Sequence, residues 1–191
     1  MNVTVLSVSR ARLAAAGAAV AACAAMALAP AGAQAAYCGL EADQAPIANR
    51  EYLAGSATRC LINNEREARG LAPLRYYISL RGSKYVNVLA RAASKHNQDM
   101  VTNHFLSHTG SDYSTPQTRM ASYGWNIGEI IYNGSGYLGT PRAAVNWWMN
   151  SPGHRALILN PGFREFASAA SYLTTWGASG GTYTVTFGGP S

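Results

Sequence analysis

From Thr182 to Phe187 the chain reads TYTVTF, a run in which β-branched and aromatic residues set a clear two-residue period. That period predicts a strand, and Phe166 to Tyr172 predicts another shortly before it. Upstream, the punctuation is that of helices. Helices first and strands at the C-terminal end is the order of an α+β fold. No internal repeat and no domain linker breaks it.

The helical part carries repeated start and stop signals. Ile47, Leu53, Ala57, Leu61, Ile62 and Ala68 give an interrupted apolar face, so the first helix is expected from Pro46 or Ile47 to Arg69, with Gly70 as its C-cap. Leu71 to Leu74 then forms a connector. A second helix is expected from Leu80 to Val101, with Val86, Leu89, Ala90, Ala93, Asn97 and Met100 near one stripe. Thr115-Pro116, Thr140-Pro141 and Ser151-Pro152 are three pairs of an N-cap residue followed by proline at the first helical position. The last of them opens a short helix, GHRALIL, that stops at Pro161. Trp147 and Trp148 are expected to supply core area, one inward and one lateral. Residues 124–139 hold five glycines among aromatic and β-branched residues, which predicts loops wrapped over a core.

The N-terminal 35 residues have a different composition. Arg10 and Arg12 precede a long run of Ala, Gly and Val, and Ala33-Gln34-Ala35 offers small residues at a cleavage-like site. Residues 1–35 read as a secretory signal peptide. A membrane anchor is the rival reading, although the run is rich in Ala and Gly and ends at Pro30. A lipoprotein site at Cys23 is a third, although the apolar run continues past it. Cleavage would leave a short segment, 36–44, and one domain, 45–191, long enough for a proper core and without a membrane span. The location expected is extracellular, with association to the cell envelope as a variant.

Of three cysteines, Cys23 would leave with the leader, and an even pair in an exported protein reads as a disulfide between Cys38 and Cys60. The formal charge of +6 loses Arg10 and Arg12 on cleavage. The remaining basic residues are scattered, without an aromatic-interleaved patch, so nucleic acid is not an expected partner.

Few residues could carry chemistry. Two histidines, His104 and His108, lie four apart in HFLSHTG, but Ser107, Thr109 and Gly110 favour a helix end over a metal-binding turn. Glu129 sits among isoleucines in NIGEII, where a buried carboxylate needs a partner. His154 stands in the first turns of the short helix after Ser151. His108, Glu129 and His154 together form a sensible divalent-metal set, or three polar groups that hydrogen-bond across packed elements. His96 is expected at the surface or half-buried, and His104 in a structural role. The chain has no HExxH helix, no nucleophile elbow around Ser135 and no phosphate-binding glycine loop.

The pieces LINNEREARGLAPL (61–74), LARAASKHNQDM (89–100), HFLSHTG (104–110), TPQTRMASYGW (115–125), GEI (128–130), WWMNSPGHRALILNPGFREF (147–166) and YTVTFG (183–188) occur in the order found in the CAP superfamily. The chain resembles a bacterial member of this family of cysteine-rich secretory proteins, venom antigens and pathogenesis-related class 1 proteins. The resemblance implies an α-β-α sandwich with a small antiparallel sheet between helical layers. It also implies a cleft of two histidines and two acids, falling here on His108, Glu129 and His154. The second acid falls on Ser151, and Ile130 replaces the asparagine of the family's GEN motif. Asn64, Glu65 and Arg66 are expected to tie the first helix to its neighbours, with Arg69 facing solvent. Arg119 and Arg155 are expected to lock loops onto carboxylates or carbonyls.

Members of the family have been associated with sterol or lipid binding, divalent cations, proteolysis in isolated cases, and receptor or channel blocking. The function expected is therefore that of a noncatalytic monomer binding a lipid, another small molecule, an envelope ligand, or Zn or another divalent cation. A metal-dependent hydrolase of peptides or envelope components and a structural or adhesive envelope protein are the alternatives.

Overall fold

The computed structural model describes residues 37–76, 84–124, 126–173 and 179–190, all of them in one compact unit. The expected leader lies outside the described residues. Five α-helices are described: α1 Glu51–Glu67, α2 Lys84–Thr102, α3 Pro116–Arg119, α4 Pro141–Asn150 and α5 Pro152–Ile158. They accompany three strands, β1 Ile127–Ser135, β2 Glu165–Leu173 and β3 Gly180–Gly188, and two 3-10 turns, Leu40–Asp43 and Gly136–Gly139. No described helix is long and apolar enough to cross a membrane.

The strands form one antiparallel sheet in the order β1-β3-β2. The central strand β3 is buried at every position, yet its two faces differ. Tyr183, Val185 and Phe187 join a cluster with Leu61 and Ile62 of α1 and Val145 and Trp148 of α4. Thr184 and Thr186 turn to α2, where Thr186 Oγ1 donates to the Leu89 carbonyl at 3.0 Å and Asn97 Nδ2 donates to Thr184 Oγ1 at 3.3 Å. Helices thus cover both faces, in the expected α-β-α layering. The alternation of TYTVTF separates an apolar interface from a hydrogen-bonded one rather than core from solvent.

The helix signals are read with small corrections. α1 starts later than expected, because the Arg50 N–H closes a turn onto the Ile47 carbonyl at 2.9 Å and Asn49 takes φ +66°. It ends at Glu67, short of the expected Arg69, and the turn after it closes at Gly70 (φ +71°), where Leu71 N–H bonds the Arg66 carbonyl and Gly70 N–H bonds that of Glu67, each at 3.0 Å. These are the two bonds of a Schellman motif. In α2, Leu89, Ala93, Asn97 and Met100 are buried as expected, but so are Val88, Ala92 and His96. A helix lying flat on a sheet buries a wider face than a narrow stripe. The expected start of α2 at Leu80 and the side chain of Val86 lie outside the described residues.

Thr115 and Thr140 cap α3 and α4 through their hydroxyls. Ser151 does not cap α5, because its hydroxyl is used elsewhere. Trp148 is fully buried, with its indole N–H donated to the Ile131 carbonyl at 3.0 Å, and Trp147 is half exposed.

The larger correction concerns residues 124–139, expected as loops. They hold the nine-residue strand β1 and the 3-10 turn Gly136–Gly139. Residues 128–132 are all buried, so no two-residue period is visible in the sequence. Gly128, Gly134 and Gly139 are spacers for close packing. A Cβ at Gly128 would lie 3.0 Å from both Leu157 and Phe163, and one at Gly134 only 2.4 Å from the Leu138 carbonyl oxygen.

Arg66 joins α1 to the 158–160 turn. Its guanidinium, 1% exposed as a residue, donates to the carbonyls of Ala72, Ile158 and Asn160. Burial, with Arg164 nearby, holds its pKa below the ordinary arginine value. Arg69 is exposed and pairs with Glu65 on its own helix. The Cys38–Cys60 disulfide forms, fastening the N-terminal segment to α1.

Candidate functional site

Glu129 is the fixed point of the site. β1 sets it opposite Thr186 of β3, and because Ile130 and Tyr132 fill the core on one face, Glu129 projects to the other. There its side chain is 1% exposed. A carboxylate so placed needs compensation, and α3 supplies it. Arg119 Nη2 lies 2.9 Å from both Glu129 oxygens, and its own side chain is only 8% exposed.

The same guanidinium holds the neighbouring loop. Nη2 donates to the His108 carbonyl and Nη1 to that of Ser114, each at 2.9 Å. Arg119 therefore forks onto a carboxylate and two carbonyls at once. Arg155, given the same expectation, is exposed on α5. Its backbone makes only the helix's own bonds, Arg155 N–H to Ser151 O and Leu159 N–H to Arg155 O.

The loop after α2 brings His108 onto this pair. Asp99, near the end of α2, accepts from the Ser111 amide, the Ser111 hydroxyl and the Asn103 side chain. Those bonds pin the loop to the helix. His108 Nδ1 then lies 2.9 Å from Glu129 Oε1. A carboxylate only accepts, so Nδ1 carries the proton and donates, and Nε2 of a neutral ring is left with a free lone pair. The His108 side chain is about half exposed, at 47%.

His154 arrives from the other side on α5. Its Nδ1 lies 2.7 Å from Ser151 Oγ, which explains why Ser151 leaves the helix end uncapped. Its ring packs on Trp147 with centroids 4.9 Å apart, and Trp147 packs in turn on Tyr132 at 5.7 Å. Burial, and next the charge of His108, lower the His154 pKa below its ordinary value. The two rings therefore share one electrostatic neighbourhood, and a neutral His154 is favoured.

The structure thus joins His108 directly to Glu129, while Ser151 and Trp147 hold His154. His104 takes no part; it is exposed at φ +55°, just beyond α2. His96 was missed as a member of the site. It is 1% exposed rather than at the surface or half-buried, with Nε2–H donated to the Ser107 carbonyl at 2.8 Å and Glu129 Oε1 3.8 Å away. Its pKa is lowered chiefly by burial, against the pull of Glu129. The signal was legible, since position 96 falls beside Ala92, Ala93 and Met100 on the inner face of α2.

A metal fits this donor set poorly. Among the described residues no three of His, Cys, Asp and Glu are grouped to hold an ion. Both Glu129 oxygens already accept hydrogen bonds, and Ser151 supplies a hydroxyl where a second acid would stand. Two imidazole nitrogens remain, half of a structural zinc set.

Comparison with known proteins is consistent across sequence and fold. The family model described as the cysteine-rich secretory protein family, CAP, matches residues 60–187. The chain is 36% identical over 106 residues to an uncharacterized Bacillus subtilis protein, YkwD, covering 54% of this chain and 37% of that one. It therefore spans well under half of that relative's length. Three solved bacterial structures share the fold. An extracellular protein containing an SCP domain from Bacillus anthracis superposes with a TM-score of 0.58 at 22% identity, covering 77% of this chain and 45% of that one. An outer surface protein from Borrelia burgdorferi gives 0.56 at 19%, with 78% and 99% covered. A cysteine-rich secretory protein from Staphylococcus aureus gives 0.51 at 17%, with 74% and 40% covered.

Proposed function

Since the chain belongs to the cysteine-rich secretory protein (CAP) family, we propose that it is an exported, noncatalytic module whose His108–His154 cleft binds a small ligand with one polar end. The observation that carries this reading is the Arg119–Glu129–His108 chain of contacts. It uses one nitrogen of His108 and leaves the other facing outward in a fixed tautomer, as a hydrogen-bond acceptor. His154, with Nδ1 on Ser151, has its Nε2 as second polar group. Half-exposed Trp147 beside it offers an aromatic face for an apolar body. A lipid or sterol carries both features, a hydroxyl or acid head and an apolar frame.

Export is supported by the leader-like N-terminus and by the extracellular and outer-surface descriptions of the fold neighbours. Divalent-cation binding is the second reading, resting on the same two free nitrogens. The metal-dependent hydrolase is less well supported, because Glu129 is held by Arg119 and is not free to act as a general base.

The test is calorimetric titration of the purified protein with a lipid and sterol panel and with Zn²⁺ and Mg²⁺. The expected outcome is saturable heat with at least one lipid or sterol, reduced about tenfold or more in affinity by His108→Ala or His154→Ala. No heat and no thermal shift with any member of the panel would sink the proposal. Zn²⁺ binding alone, abolished by the same variants, would replace it with the second reading.

A further inference from the structure

A cavity of about 510 Å³ opens on the α2 and α3 side of the Arg119–Glu129 pair, away from His154 in its lining. Arg91 and Lys95, one turn apart on α2 and both exposed, stand on its wall with Arg119. Among the described residues no ion pair engages Arg91 or Lys95. The carboxylates that also line it, Asp99 and Asp112, are turned to local work. Asp99 accepts from Ser111 and Asn103, and Asp112 from the Ser114 amide. Arg91 and Lys95 therefore stand outside any ion pair on a wall that also carries two carboxylates.

Behind this wall two buried polar atoms stand without a partner. Arg119 Nε and His96 Nδ1 both belong to residues of this wall, both side chains are more than nine-tenths buried, and neither atom has a hydrogen-bond partner among the described residues. Unpartnered buried polar atoms are uncommon and call for an explanation.

The remaining lining names the ligand class. Ser111, Ser114 and Thr118 contribute hydroxyls, and Ala92 is the sole apolar side chain among the lining residues. Hydroxyl and charged side chains therefore outnumber apolar ones around it. The volume lies within the range of about 300–1,000 Å³ usual for small-molecule sites, with more room than a bare oxyanion needs. We propose that this cavity is a second binding site, for a sugar that carries one phosphate or carboxylate group. Arg91 and Lys95 take the anion, while the hydroxyls and the accepting oxygens of Asp99 and Asp112 take the sugar hydroxyls. The site stands independently of the ligand assigned to the His108–His154 cleft.

The experiment is titration of the full chain with glucose 6-phosphate, glucuronate, glucose and inorganic phosphate. Saturable binding of glucose 6-phosphate or glucuronate is expected, and which of the two binds more tightly identifies the acid. Added salt weakens it, and the Arg91→Ala/Lys95→Ala double variant weakens it by about tenfold or more. These side chains are exposed, so the variant keeps its fold, checked by an unchanged unfolding midpoint. His154→Ala leaves sugar binding within about twofold, a change too small to count as loss of a direct contact. The proposal is overturned if neither acidic sugar binds saturably. It is also overturned if glucose or phosphate alone binds as tightly, if the double variant binds like the parent, or if His154→Ala abolishes sugar binding.

Discussion

The buried pair of Glu129 and Arg119 shows how one residue commits others. Each is nearly inaccessible, so removing either leaves the other charge uncompensated in the interior. Arg119→Leu is expected to cost about 3–5 kcal/mol, measured by urea unfolding. Arg119→Lys should cost less but still release the loop, since an ammonium cannot reach a carboxylate and two carbonyls at once. His96 makes a different prediction. Its pKa is lowered by burial from the ordinary 6.5, so below pH 6.5 the unfolded chain takes up a proton that the folded one refuses. Stability is then full above that pH and falls as pH drops from 6.5 toward the folded-state value, with His154 adding in the same sense. Urea midpoints measured between pH 8 and 5 should follow this slope, and His96→Gln should flatten it. At this scale the sequence carried much: Glu129 among isoleucines announced a buried carboxylate in need of a partner. That Arg119 would be the partner, and His96 a neighbour, depended on a loop and a helix meeting a strand, and no local spacing encodes such a meeting.

Among the elements, those with a chemical start signal were the legible ones. Thr115 and Thr140 before prolines mark the two helices that their hydroxyls cap. Thr140→Ala is expected to cost about 1 kcal/mol, the usual value of a lost N-cap. Ser151 looks identical in sequence, yet its hydroxyl serves His154. Ser151→Ala should therefore cost less than about 0.5 kcal/mol of stability, while shifting the His154 titration followed by proton NMR. A titration unmoved by that change would contradict the contact. β1 was illegible because burial on both faces erased its period and its glycines imitate loop composition. Gly134 in the strand and Gly139 in the turn after it keep backbones close. A Cβ at Gly139 would stand 2.8 Å from the Gly134 carbonyl oxygen and from Gly180 Cα. Gly139→Ala is expected to destabilise by about 1–3 kcal/mol, read from the thermal midpoint.

At the scale of the molecule, a disulfide and an ion pair are among the links that hold the N-terminal segment to the helical layer. The Arg142–Asp43 pair is exposed, and such pairs contribute about 0–1 kcal/mol. The Cys38–Cys60 disulfide, spanning 22 residues, contributes about 3 kcal/mol by restricting the unfolded chain. Reduction should lower the unfolding midpoint accordingly, whereas Asp43→Asn should scarcely move it. The strand order has a further consequence. The third described strand along the chain, β3, lies in the middle of the sheet, and it is the one that sets Glu129 in register opposite Thr186. A chain emerging N-terminus first from a ribosome would carry His108, Glu129 and His154 into the open before the strand that aligns Glu129 exists. Glu129 stays without its sheet register until residues Gly180–Gly188 have followed, and a variant lacking those residues would keep His108, Glu129 and His154 without the strand that orders them.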